Sequence, residues 1–148
     1  LILVHGTSTA NSVSIQNTGA IRPRVGKGNW FRDTHQPSID GFVYFAGDRV
    51  RAEFHATRTA LLTNSDCSLL SVDVDPDNLY PDENLYNNKG IINPSELAEM
   101  QSRALENKND WVNSLSLIDL VAHKGSVSTD RIVKEVVFPI QISEYYGF

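Results

Sequence analysis

Apolar and polar positions along this chain predict an α+β domain with strands at both ends. Residues 1–7 begin Leu1-Ile2-Leu3-Val4 and read as a strand. Ser8 or Thr9 stands where a helix cap belongs, for a short helix over 10–18 with Gly19 at its C′ position. Residues 22–40 carry Pro23, Gly26, Gly28 and Pro37 among polar side chains and predict a long loop. A loop of that length in a compact domain is commonly functional. Residues 41–46 form a second strand, and Asp48 caps the helix after it, with Val50, Phe54 and Leu61 expected near one face.

Further on, Leu70, Val72 and Val74 alternate with polar residues, as a half-buried strand does, until Asp75-Pro76-Asp77-Asn78 breaks the pattern. The stretch 75–92 is acidic and rich in turn residues. Asn93-Pro94-Ser95-Glu96 is a helix start, with Asn at the cap, Pro in the first turn and Glu placed to return a hydrogen bond. Leu97, Met100, Ala104, Trp111 and Leu115 continue at helical spacing, with a break expected near Asn107–Asp110, and the stripe reads as core packing. Strands follow at about 117–123 and 134–142, where Val136, Phe138, Ile140 and Ile142 alternate. No internal repeat interrupts the 148 residues, which are the size of one domain with one core.

Composition narrows the picture. No apolar run is long enough to cross a bilayer, so no membrane role is expected. The abrupt strand-like opening points to a part of a longer protein, and localisation cannot be read from it. Cys67 is the one cysteine, which excludes an internal disulfide, and His5, His35, His55 and His123 lack close metal-ligand spacing, so no metal is expected. The net charge of −5 divides into +3 over residues 1–60 and −8 over 61–148. An acidic chain argues against non-specific nucleic-acid binding. The local exception is Arg22, Arg24, Lys27 and Arg32, either a solvated loop or a patch that meets phosphates.

Three segments carry candidate chemistry: Leu3-Val4-His5-Gly6-Thr7, Phe42-Val43-Tyr44-Phe45-Ala46 and Ile118-Asp119-Leu120-Val121. Each sets a polar or aromatic side chain beside an apolar strand pattern. His-Gly-Thr at a strand end, taken alone, reads as a hydrogen-bonded structural histidine. The second segment, followed by a helix, resembles the second motif of the ADP-ribosyltransferases of the diphtheria-toxin and poly(ADP-ribose) polymerase type. There a His-Gly pair ends the first strand, a Tyr sits in an apolar-Tyr-Phe-Ala strand, and a third residue, usually Glu, lies on a late strand. In the polymerases a final strand ends on an aromatic about nineteen residues after that Glu. Counting back likewise from Phe138 lands on Asp119. The chain thus resembles a His-Tyr-Asp variant of a His-Tyr-Glu family. Ala52 stands where the family often has Ser, and Glu135 is a rival carboxylate whose ordinary reading is a solvated strand-edge charge.

The resemblance implies one domain over 1–148, with split mixed or antiparallel sheets flanked by helices, and NAD as substrate. It implies catalytic roles for His5, Tyr44 and Asp119. Asp119 would hold the ribose hydroxyl beside the breaking bond, and His5 the adenosine ribose. Gly6 would let the backbone approach the nicotinamide amide. Tyr44 would stack on the nicotinamide, with Phe54 or His55 opposite. Thr7 or Ser8 would bond a ribose hydroxyl, Arg24 would meet the pyrophosphate, and His123 is a possible base toward an acceptor hydroxyl.

The expected acceptor is a macromolecule, whether protein, RNA or DNA, in the setting of a bacterial effector toxin or a phage-borne modifier. A toxin of this kind implies secretion or delivery into a target cell, and a cognate immunity protein or inhibitor. Leu79-Tyr80-Pro81-Asp82-Glu83, with Trp111, Ser114-Leu115 and Val121-Ala122-His123-Lys124-Gly125, also resembles parts of relatives of NAD-dependent RNA 2′-phosphotransferases. Val4 stands where that family has the Arg of an Arg-His pair, which ranks this reading second. A third reading, motivated by Asp in place of Glu, is a module that binds NAD or a partner without turnover.

Overall fold

The computed structural model describes residues 1–23, 39–87, 90 and 93–140. Arg24, Lys27, Arg32, most of the 22–40 loop and Ile142 lie outside the described residues.

The described chain is a mixed α+β fold in which antiparallel sheets are flanked by helices. Its strands are β1 (Ile2–Ser8), β2 (Ala20–Ile21), β3 (Phe42–Ala46), β4 (Cys67–Asp73), β5 (Leu79–Pro81), β6 (Leu120–Lys124), β7 (Val127–Ser128) and β8 (Ile132–Phe138). Six form one sheet in the order β5-β6-β3-β1-β4-β8, and β2 pairs with β7 in a small second sheet. Pairing within the large sheet is uneven. β1 runs beside β4 from Ile2↔Asp73 to Ser8↔Cys67, and β3 runs beside β6 from Phe42↔Lys124 to Ala46↔Leu120. Between β1 and β3, among the described residues, the registered pair is Val4↔Ala46 alone. The sheet is therefore two well-laddered halves joined at one point.

Alternation along the strands gives each face its own core. Leu3, Val43, Phe45, Leu70, Val72 and Val121 share one face, closed by Ile15, Trp111 and Leu115 and by Ile21 and Val127 of the small sheet. Val4, Ala46, Cys67, Leu69, Leu120 and Val136 share the other.

The helices are α1 (Thr9–Thr18), α2 (Arg49–Thr63), α3 (Pro94–Glu106) and α4 (Trp111–Ile118). Ser8 caps α1 by accepting the Asn11 amide at 3.1 Å, and Gly19 ends it at φ 82°, where a side chain would be strained. Asn93 accepts the Glu96 amide at 2.8 Å, the cap expected at α3, and its side-chain amide donates to Glu96 Oε1 at 3.4 Å. The expected break after α3 is a 3-10 turn over Lys108–Asp110.

Two expectations are corrected. The face of α2 that turns inward is not Val50, Phe54 and Leu61: Val50 and Phe54 are 77% and 42% exposed, and Ala52, Ala56 and Ala60 are buried instead. Alanines four apart bring the helix axis close to β1, where a Cβ at Gly6 would stand 2.1 Å from the Ala52 carbonyl oxygen. Residues 117–118 also do not begin a strand. They finish α4, and β6 starts at Leu120, after Asp119 has turned the chain at φ 59°. None of the described helices is long and apolar enough to cross a membrane.

Candidate functional site

Beyond Val4↔Ala46 the inner strands carry the two residues singled out from the sequence. The ring of His5, on β1, reaches across to β3, with Nδ1 2.9 Å from the Tyr44 carbonyl oxygen. A carbonyl can only accept, so Nδ1 carries the proton, and in the neutral ring Nε2 is the acceptor. The His5 ring also packs against Phe45, with centroids 5.6 Å apart. His5 and Tyr44 are thus joined through the Tyr44 backbone, while the phenol points to the other face of the sheet.

On that face the Tyr44 hydroxyl accepts the Ile39 amide at 3.0 Å and donates to Glu83 Oε2 at 3.1 Å. Glu83, 3% exposed, opens a 3-10 turn directly after β5. Asp82 caps this turn by accepting both the backbone and the side-chain amide of Asn84 at 2.8 and 2.9 Å. The Asp82 amide donates to Ser114 Oγ at 3.0 Å, and that hydroxyl donates to the Leu120 carbonyl at 2.6 Å. Burial pushes the Glu83 carboxyl up to about 8, with the Asp82 charge adding to the rise. Burial likewise raises Asp82, and it raises the Tyr44 phenol well above its ordinary value, helped by the charges of Glu83 and Asp82.

Asp119 lies just past the C-terminal end of β3, where Ala46 pairs with Leu120. Its carbonyl accepts the Gly47 amide at 3.3 Å, and its Oδ2 accepts the Asp48 amide at 3.1 Å, at the start of α2. A carboxylate there meets the positive end of the helix dipole. Burial nevertheless raises the Asp119 carboxyl above the usual range, and its hydrogen bond with the Asp48 side chain adds to that. Position 47 is three residues beyond Tyr44, roughly 10 Å along a strand that rises about 3.3 Å per residue. Tyr44 thus has Glu83 bonded to its hydroxyl, while Asp119 holds the backbone turn that leads from the Tyr44 strand into α2.

Of the other sequence candidates, Gly6 gives its open space to α2, and Thr7 is buried. Ser8 is occupied by its cap. Phe54 meets His55 edge-on, with centroids 6.0 Å apart. Burial and the neighbouring charges of His5 and Arg51 pull the His55 imidazole down to about 4. His123 is 5% exposed, packs on Phe45 from the side of β6, and bonds the Gly125 carbonyl at 3.1 Å. Glu135, on the edge strand β8, accepts the hydroxyls of Ser12 and of Ser68, the latter at 2.7 Å, and so ties α1 to β4 and β8.

The residue that sequence reasoning passed over in this role is Glu83. Pro81-Asp82-Glu83-Asn84 looks like an acidic surface turn, and only the pairing of β5 with β6 brings it over Tyr44. Among the described residues, no group of three His, Cys, Asp or Glu side chains is gathered to hold a metal ion. No protein-family model matches the chain, and no curated protein matches it either.

Proposed function

We propose that this protein transfers ADP-ribose from NAD to a macromolecular acceptor, protein or nucleic acid. The observation that carries the reading is the seam between β1 and β3. It brings His5 and Tyr44, 39 residues apart, onto one hydrogen bond from the His5 ring to the Tyr44 carbonyl. In the reaction the bond from ribose C1′ to the nicotinamide nitrogen breaks, and its electron pair leaves with nicotinamide. The acceptor nucleophile then bonds C1′ and gives up a proton. Positive charge builds on the ribose in between, and a carboxylate beside it stabilises that charge. Asp119 is assigned this role, the Tyr44 ring stacks on nicotinamide, and His5 holds the Tyr44 strand from the other face through the Tyr44 carbonyl.

The test is incubation with labelled NAD and a cell extract, followed by protease or nuclease. Label on a polymer is expected with the natural chain. Asp119→Asn, which keeps the shape and the left-handed turn, is expected to lower the rate by roughly 10²–10³. Absence of both polymer label and nicotinamide release from the natural chain defeats the proposal. Nicotinamide release that depends on Asp119 removes the reading of a module without turnover.

One observation favours the RNA 2′-phosphotransferase reading as an alternative. Lys124 is exposed on β6 opposite Phe42, two positions from the residue facing Tyr44, where a phosphate would meet it. A 2′-phosphorylated oligonucleotide with NAD then yields a cyclic ADP-ribose phosphate, and a lack of that product sets this reading aside.

A further inference from the structure

We propose that Glu83 is a positioning residue for Tyr44, holding the phenol at the seam so that the proton on Glu83 governs how NAD is bound there. This rests on the reading of the seam as an NAD site. A phenol has one proton to give, and Tyr44 gives it to Glu83 at 3.1 Å while accepting the Ile39 amide at 3.0 Å. With both directions used, swinging the ring away about its Cα–Cβ bond breaks both bonds.

Glu83 is itself held. It is almost fully buried, and its turn is fastened through Asp82 and Ser114 to the Leu120 carbonyl, next in sequence to Asp119. One hydrogen-bonded chain thus runs from the phenol's partner to the segment that carries the other carboxylate. Among the described residues, the titratable and charged groups around Glu83 are Tyr44 of β3, Asp82 beside it, and Arg51 of α2, whose charge acts on Asp82. Tyr86 follows on the same turn, bonded to Asp110 and stacked by Arg103. The phenol's bond by itself favours an ionised Glu83, but burial and the Asp82 charge, the larger effects, keep the carboxyl neutral. An ionised one sets a second negative charge against Asp82 in a buried turn, which loosens the turn and frees the ring.

The experiment follows two readouts in the natural chain, Glu83→Gln and Tyr44→Phe. One is the ring resonance of isotope-labelled Tyr44 from pH 6 to 10 without NAD. The other is kcat and KM for nicotinamide release over the same range. The expected result is a Tyr44 inflection near pH 8 and a KM that rises above it, toward a tenfold fall in kcat/KM per pH unit. Glu83→Gln abolishes the inflection and flattens the KM profile, and Tyr44→Phe flattens the profile as well. A Tyr44 inflection that is absent, or unchanged in Glu83→Gln, overturns the proposal, as does a KM profile that Glu83→Gln leaves untouched. If the natural chain releases no nicotinamide at any pH, the NAD reading falls and takes the positioning role with it. The resonance then separates that failure from a missing link between Glu83 and Tyr44.

Discussion

Asp119 occupies the space that a side chain at Gly47 would fill: a Cβ there would stand 2.4 Å from Asp119 Oδ1 and 3.0 Å from a methyl of Leu115. The obstructing atoms are ends of side chains, which can swing aside. Gly47→Ala is therefore expected to cost less than about 1 kcal/mol of stability. Moving the carboxylate off the Asp48 amide is expected to slow nicotinamide release by about tenfold or more. Urea denaturation and a nicotinamide assay on the same sample separate the two effects.

Gly6→Ala is expected to behave in the opposite way. Its nearest obstacles are backbone atoms of α2, the Ala52 carbonyl and the Ala56 nitrogen, and these cannot rotate away. The helix must lift from β1, at an overpacking cost of about 1–3 kcal/mol or more. A lowered urea midpoint with an unchanged slope is the expected signature.

Stability is expected to be flattest between pH 4.5 and 6.5. Glu83 titrates near 4.5 unfolded and about 8 folded, so its contribution is complete below 4.5 and is lost as pH rises through 8. His55 titrates near 6.5 unfolded and about 4 folded, so its contribution is complete above 6.5 and is lost as pH falls through 4. Between 4.5 and 6.5 the two slopes oppose each other. At about 1.36 kcal/mol per pKa unit, the alkaline arm above 6.5 amounts to about 2 kcal/mol and the acid arm below 4.5 to less than about 1 kcal/mol. Urea midpoints over a pH series check this: Glu83→Gln removes the alkaline arm and His55→Gln the acid one.

Ser114→Ala removes a fully buried hydroxyl that accepts from the Asp82 amide and donates to the Leu120 carbonyl. Leaving those two backbone groups without it is expected to cost about 1–3 kcal/mol. Nicotinamide release is expected to fall too, because the turn under Tyr44 and the segment after α4 lose their common tie. Thr at this position, which keeps the hydroxyl, restores more of the activity than Ala does.

Local chemistry was legible where it decides the outcome. Ser8 and Gly19 bound α1, Asn93 and Glu96 open α3, and the apolar run through Tyr44 is a strand. β2, β5 and β7 are two or three residues long, too short to show a period, and exist because neighbouring strands offer them a partner. The inward face of α2 was misjudged because hydrophobicity favours Val50 and Phe54, whereas close approach to Gly6 favours alanine. The ring of His5 meets the Tyr44 carbonyl, a contact that no motif specifies, and strand alternation leaves the phenol on the other face of the sheet. Glu83 was invisible as a partner of Tyr44 because an acidic residue in a Pro-Asp-Glu-Asn turn reads as surface, and its burial depends on tertiary pairing.

The single stitch at Val4 and Ala46 leaves imidazole and phenol on two ladders that share both cores. A small shear between the ladders parts the two groups and disturbs the cores that span them. Substitutions near that stitch are therefore expected to lower turnover and melting temperature together, so a thermal screen ranks the same variants that a turnover assay does.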